Sequence, residues 1–334
     1  MFQNPRGLIP LNWKSVVGEA LRRRKAEKMT QREHAALANV SIPTIADFDR
    51  GEMTLSLSKA FDILRVVGLV DEPVEENIQN TFVRDAFERW RVLSNELPQD
   101  SLGRFPNGCF QFDYCLEGDL QSVELKDFKK ILKKADTHQS RWVPFLLLQQ
   151  QENMPYEVDG TLECWLKPKK GNGAERDASC CDFWRASPSG RMFLMRGYKE
   201  DDAETLSDRP FFDTTFPIVY IGEILLHAER LALLLQNDKP ITVHFRALYS
   251  GLNGRVLRSW ANPSSNILGE GRAARSNEAV LEVSIPAKDI SLSLAEYLYI
   301  LASSLYEKFG ITDISKSYVQ SEVKRLFGKE ASGF

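Results

Sequence analysis

Trp184, Arg185, Arg196 and Tyr198, followed at once by Glu200, Asp201 and Asp202, form the most suggestive chemical grouping in this chain of 334 residues. Two arginines on neighbouring strands, flanked by aromatic rings, can stack on and neutralise a nucleotide or phosphate ligand. The same residues also suit a plain cross-strand ladder with surface ion pairs, which is the commoner use of such a pattern. His227 lies four residues after Glu223 on an amphipathic stretch, so the two could present a two-ligand metal face. A satisfied interior histidine is the more usual outcome of that spacing. Cys180-Cys181 either senses oxidation or fills small apolar space. His34, His138 and His244 are scattered, there is no G-x-S-x-G, G-x-x-x-x-G-K-[ST] or H-E-x-x-H motif, and Gly269-Glu270-Gly271-Arg272 lacks a strand–helix frame. No catalytic residue, metal or cofactor is expected.

The elements that must position these groups can be read from periodicity. Residues 109–116, 161–167, 182–186, 191–198 and 278–285 alternate or carry aromatic and branched residues, as strands do. Residues 241–260 read as a strand, a Gly/Asn turn and a second strand. Helical spacing marks 123–135, with a basic outer face, and 218–235, 292–308 and 315–327. The irregular alternation of strands and helices predicts an α+β domain over 104–334, with residues 168–179 as a polar surface loop. Residues 78–97 look like an amphipathic helix within a helical linker over 73–103. Leu294, Tyr297, Leu298, Leu301, Leu305 and Tyr306 recur at helical spacing, and one surplus apolar face there would suit a homodimer.

Glu163-Cys164-Trp165-Leu166, Asp182-Phe183-Trp184-Arg185-Ala186-Ser187, Arg196-Gly197-Tyr198, Gly222-Glu223 and Leu226-His227-Ala228 resemble stretches of uncharacterised bacterial C-terminal modules. Those modules are attached to AlbA/Schlafen-type DNA-binding proteins. The resemblance implies a reusable module and no particular activity.

The first seventy residues carry a different signal. Thr30-x-x-Glu33 is a capping box, and Ser41 is a second N-cap with Pro43 in the first turn after it. Between them Asn39 tolerates the left-handed backbone of a tight turn, and Gly51 suits the end of the second helix. Residues 13–26 form a preceding helix, and Leu57, Ala60, Phe61, Leu64 and Val67 supply an opposing apolar wall, ended by Asp71-Glu72-Pro73. Two short helices joined this way make a helix-turn-helix, whose second helix usually enters the DNA major groove.

Leu21-x-x-Arg24, Met29-Thr30-Gln31, Ala35, Val40-Ser41, Thr44-Ile45, Asp49-Arg50-Gly51 and the apolar run 57–64 lie in the same order and spacing as in a known domain. On these residues, 13–70 resembles the Xre/Cro/lambda-repressor-like helix-turn-helix. His34 stands where that family has an aliphatic residue, Asn39 where Gly is common and Asp49 where Glu is common. The resemblance implies an all-α, five-helix-type domain over 1–72. It places Gln31 at the backbone and groove edge, and Ser41, Ile42, Pro43, Thr44 and Asp47 on the exposed start and outer face of the recognition helix. Ile42 and Pro43 would meet thymine methyls or sugar edges, Thr44 offers a hydroxyl and a methyl, and Asp47 could accept from cytosine N4. Arg50, Arg22 and Arg23 are the phosphate candidates, while Arg24 and Asp49 match an internal ion pair.

Charge supports this division. The chain is −3 overall, with 43% hydrophobic and 27% charged residues, an ordinary globular balance. Residues 1–70 hold 11 Lys/Arg against 7 Asp/Glu, a surplus of four positive charges, which leaves −7 on the remainder. Phosphate attraction is local to a patch, so an acidic remainder does not oppose it. The odd cysteine count of five, without a C-x-x-C pair, and the lack of a signal-like or bilayer-length apolar run fit a cytoplasmic protein with no membrane partner. The combined expectation is a sequence-specific, homodimeric repressor that binds a palindromic operator in double-stranded DNA, with a dimerisation or effector-sensing domain taking a small molecule or nucleotide. The alternative is a defence-system or toxin–antitoxin component whose C-terminal domain binds a nucleotide or a protein partner.

Overall fold

The computed structural model describes residues 12–328 apart from 39, 71–77, 138, 141, 150–152, 168–177, 203–209 and 266–270. The expected turn at Asn39, the stop at Asp71-Glu72-Pro73, most of the 168–179 loop, His138 and Gly269 therefore lie outside the described residues. The chain divides into two units, residues 1–77 and 78–334, each with its own core.

Unit one contains α1 (Trp13–Ala26), α2 (Gln31–Leu37), α3 (Ile42–Asp49) and α4 (Leu57–Val66). Side chains set each start. Asn12, Ser41 and Ser56 accept the Ser15, Thr44 and Lys59 amides. At α2, the Glu33 amide donates to Thr30 Oγ1 at 3.2 Å, and the Thr30 amide donates to Glu33 Oε2 at 2.8 Å. Gly51 ends α3 with φ +75°, a conformation that penalises any residue bearing a Cβ. Its carbonyl accepts from Trp13 Nε1 at 3.1 Å, tying the end of α3 to the start of α1. Val17, Ala20, Ala35, Ile45, Phe48, Ile63 and Leu64 fill the core. Full burial of Ile45 or Phe48 stabilises by about 1.5–3 kcal/mol each.

The fifth helix expected for this unit, α5 (Ile78–Ser94), belongs to unit two. It is not a linker: Val83 and Ala86 pack with Phe105, Phe183, Phe193 and Met195 on one face of a sheet. An amphipathic helix needs a surface on which to bury its stripe, and this sheet supplies it.

Unit two is mixed α+β. Its strands are β1 (Cys109–Glu117), β2 (Tyr156–Val158), β3 (Thr161–Leu166), β4 (Asp182–Ser187), β5 (Arg191–Gly197), β6 (Phe211–Asp213), β7 (Thr242–Ser250), β8 (Val256–Arg258) and β9 (Glu278–Pro286). Seven of them form one antiparallel sheet in the order β2-β3-β4-β5-β1-β7-β9. The helices α6 (Leu125–Ala135), α7 (Phe216–Leu235), α8 (Leu294–Glu307) and α9 (Lys316–Phe327) share the large core with the sheet face carrying Phe110, Phe112, Tyr114, Trp184, Leu194, Phe245 and Leu281. The second strand of 241–260 does not return against β7. It is β8, which pairs in parallel with β6 as a separate two-stranded sheet, Phe212 opposite Leu257.

The surplus apolar face expected on the first C-terminal helix is also corrected. Leu294, Leu298, Leu301, Leu305 and Tyr306 are all buried within unit two, and Tyr297 is partly buried against the same core. One stripe therefore serves one core, and it leaves Ile300 as the exposed apolar residue of that helix.

Candidate functional site

On unit one the predicted readers lie along α2 and α3. Ile45 and Phe48 point inward, so the helical period turns Ser41, Ile42 and Pro43 outward, all three exposed. Thr44 is half-buried and its Oγ1 lies 2.8 Å from Ser41 Oγ, so the cap and this candidate reader form one hydroxyl pair. Asp47 accepts a hydrogen bond from Arg50 Nη2, one turn on. That pair offsets the repulsion a lone carboxylate would offer a phosphate. Gln31, the first residue of α2, donates from Nε2 to Asp49 Oδ2 at 2.5 Å.

Asp49 is the centre of a brace. Arg24 donates to both of its oxygens, Nη1 to Oδ1 at 2.9 Å and Nη2 to Oδ2 at 2.6 Å, with both side chains nearly buried. Beside it His34 is buried, its Nε2 bonded to the Ile63 carbonyl at 2.9 Å and its Nδ1 3.5 Å from Arg24 Nη1. Burial, more than the adjacent guanidinium, pushes the imidazole pKa down. The polar residue at an aliphatic position is thus accommodated as a neutral ring joining α2 to α4.

The basic run at the end of α1 is partly spent inside the unit. Arg22 and Arg23 share Glu19, whose carboxyl these hydrogen bonds, Arg22's foremost, hold down at about 2. Arg23 also donates to the Val67 and Gly68 carbonyls at the end of α4, where a cation is favoured by the helix dipole. Lys25, Lys28 and Arg32 are exposed, with no carboxylate at ion-pair distance among the described residues.

In unit two the aromatic–arginine grouping does not form one site. Successive residues of a strand face opposite sides of the sheet, which separates Trp184 from Arg185. Trp184 is fully buried, edge-on to Phe145 on the side of the large core. Arg196 is buried on that same side, donating to Asp182 Oδ2 at 2.5 Å with its guanidinium 4.9 Å from the Trp142 ring. Tyr198 is buried, its hydroxyl donating to the Ser250 and Cys109 carbonyls at 2.8 and 3.0 Å. The acids that follow are not surface partners. Asp201 pairs with the buried Arg255 at 2.6 Å, and Glu200 accepts the Asp213 amide at 2.8 Å.

Arg185 stands apart on the other face, under α5. Its Nε donates to Thr161 Oγ1 at 2.9 Å and its guanidinium carbon lies 6.0 Å from the centre of the Phe82 ring. Next to it, cross-strand, Glu163 is wholly buried and held by Arg89 Nε of α5 at 3.0 Å and by the Tyr156 hydroxyl at 2.7 Å. Nothing local announces this group, because Arg89 and Glu163 lie 74 residues apart in the chain.

Glu223 and His227 serve different partners. The glutamate accepts from the Thr137 hydroxyl and the Ser140 amide, and His227 Nδ1 lies 2.8 Å from the Tyr114 hydroxyl. Burial drives the His227 pKa down to about 3, so the ring is neutral. No group of three metal-ligating side chains exists among the described residues. Cys180 is exposed and Cys181 is buried. His244 bridges Ser284 Oγ, 2.8 Å from Nδ1, and Glu117 Oε2, 2.6 Å from Nε2. That is the bonding order of a nucleophile–base–acid relay. With His244 and Glu117 side chains 38% and 74% exposed, water competes for each bond, and the row acts as a surface ladder across β9, β7 and β1.

Among the described residues no helix is long and apolar enough to cross a membrane. No protein-family model, curated protein or solved structure matches the chain.

Proposed function

We propose that this protein is a sequence-specific DNA-binding regulator of transcription, a homodimeric repressor in which residues 13–70 form the reading head. The observation that carries the reading is the start of α3. Ile42 is 51% exposed at the first position of a helix whose cap, first-turn proline and inward residues leave it nothing to pack against within the unit. An apolar side chain held in water beside two hydroxyls costs free energy unless a surface covers it, and thymine methyls beside base edges are such a surface. The Arg24–Asp49–Gln31 brace fixes α2 and α3 to α1, so this start is presented on a rigid frame.

Exposed Lys25, Lys28 and Arg32 supply sequence-independent attraction to phosphates. Few bidentate base readers stand among the exposed groups, so a single head has modest specificity. Two copies on a two-fold operator supply the rest. The experiment is selection of duplexes from a random library by the full-length protein, followed by footprinting. The expected result is protection of a two-fold site with half-sites about one helical turn apart. Recovery of no sequence preference would overturn the reading.

A further inference from the structure

We infer that unit two binds a dianionic phosphate monoester in the groove between α5 and the sheet. The groove measures about 610 Å3, within the range of small-molecule sites. Its floor is polar, with Thr161, Arg185 and Arg191. Its wall is α5, with Phe82, Arg89 and Val92, and its rim carries Val158.

Charge makes the argument. Arg89 is neutralised by the buried Glu163. Arg185 is about nine-tenths buried, yet no carboxylate lies within ion-pair distance of it, and its Nη groups have no acceptor among the described residues. Arg191 sits diagonally across from it on the neighbouring strand, and its one bond is to the uncharged Ser189 hydroxyl at 2.6 Å. The acids of the wall do not serve them: Glu88 is engaged by Arg91 at 2.9 Å, and Asp85 faces Arg84 at 3.7 Å. A guanidinium removed from water without a counter-charge is costly. Two such arginines on one floor leave a surplus of two positive charges, which a phosphate dianion balances. Guanidinium forks also match its oxygens. Phe82, Val92 and Val158 then ask for an apolar body on the ester oxygen. The inference goes beyond the DNA-binding reading and does not depend on it, since no DNA contact enters the argument.

The test uses the full chain without DNA. Phenyl phosphate is titrated by calorimetry, with inorganic phosphate, phenyl sulfate and benzoate as comparisons. Phenyl phosphate is expected to bind more tightly than all three: inorganic phosphate lacks the apolar body, and the other two lack the second charge. Arg185→Met keeps the side-chain length and is expected to weaken binding at least about tenfold, the scale of a lost hydrogen bond to a charged group. Arg191→Met, at a half-exposed position that leaves the fold intact, is expected to weaken it in the same direction. No heat with phenyl phosphate, or equal affinity in wild type and Arg191→Met, would overturn the site. Benzoate binding as tightly would overturn the phosphate assignment.

Discussion

Arg24 and Asp49, 25 residues apart, meet in a two-pronged ion pair of 2.9 and 2.6 Å, and Gln31 donates to the same carboxylate at 2.5 Å. Three helices are thereby tied at one carboxyl group: α1 through Arg24, α2 through Gln31 and α3 through Asp49. Gln31 was expected at the groove edge. The brace gives it the additional task of orienting α2 on α3.

Removing the carboxylate leaves a nearly buried guanidinium without its counter-charge. Asp49→Ala is therefore expected to destabilise unit one by about 1–3 kcal/mol. The fragment 1–77 contains one tryptophan, Trp13, packed edge-on to Phe48 at 5.5 Å, so its fluorescence reports unfolding in denaturant. A midpoint unchanged from wild type would remove the brace from the account.

The N-terminal helices were legible because their signals are local. A cap, a first-turn proline and a glycine at positive φ act within four residues of the boundary they set, and Thr30, Ser41, Pro43 and Gly51 each do so. The three-residue strands β2 and β6 were not legible, since a period of two cannot be read from three residues. The partner of β8 was equally hidden: Val256 pairs with Phe211, 45 residues earlier, across a helix and a strand. At the candidate ligand site, strand alternation alone would have separated Trp184 from Arg185. The opposing wall of α5 could not be anticipated, because an amphipathic helix shows that it has a partner and not which one.

Arg255 is the buried staple of the second unit. Its guanidinium donates to the Gly251, Phe211 and Asn107 carbonyls and to Asp201, and lies 4.4 Å from the Tyr198 ring. A lysine keeps the charge and cannot reach four acceptors in a planar fork. Arg255→Lys is expected to cost about 3–5 kcal/mol, as breaking a buried network does. Urea denaturation of the full chain measures it, and a loss below about 1 kcal/mol would show that the fork is dispensable.

Two buried groups give stability opposite pH dependences. Burial raises the Glu200 carboxyl from 4.5 to about 7, so the folded state holds its proton more tightly, and stability falls as pH rises through that window. Burial lowers His227 from 6.5 to about 3, so the unfolded state takes up the proton first, and stability falls as pH drops through that window. Between about 4.5 and 6.5 the two slopes oppose each other. Glu200→Gln still accepts the Asp213 amide and removes only the first slope. Its stability relative to wild type is expected to rise by about 3 kcal/mol from pH 4.5 to pH 8. Parallel stability curves for the two proteins would show that Glu200 does not titrate in the fold.

The central claim is that the exposed start of α3 reads base sequence. Fluorescence anisotropy at one fixed salt concentration tests it most directly, comparing the selected duplex with a scrambled duplex for wild type and for the double variant Ile42→Ala/Thr44→Ala. Neither residue belongs to the Arg24–Asp49–Gln31 brace. The predicted result is a loss of about tenfold or more on the selected duplex and little change on the scrambled one, because base contacts discriminate and phosphate contacts do not. Equal loss on both duplexes, or unchanged binding to the selected one, would contradict it.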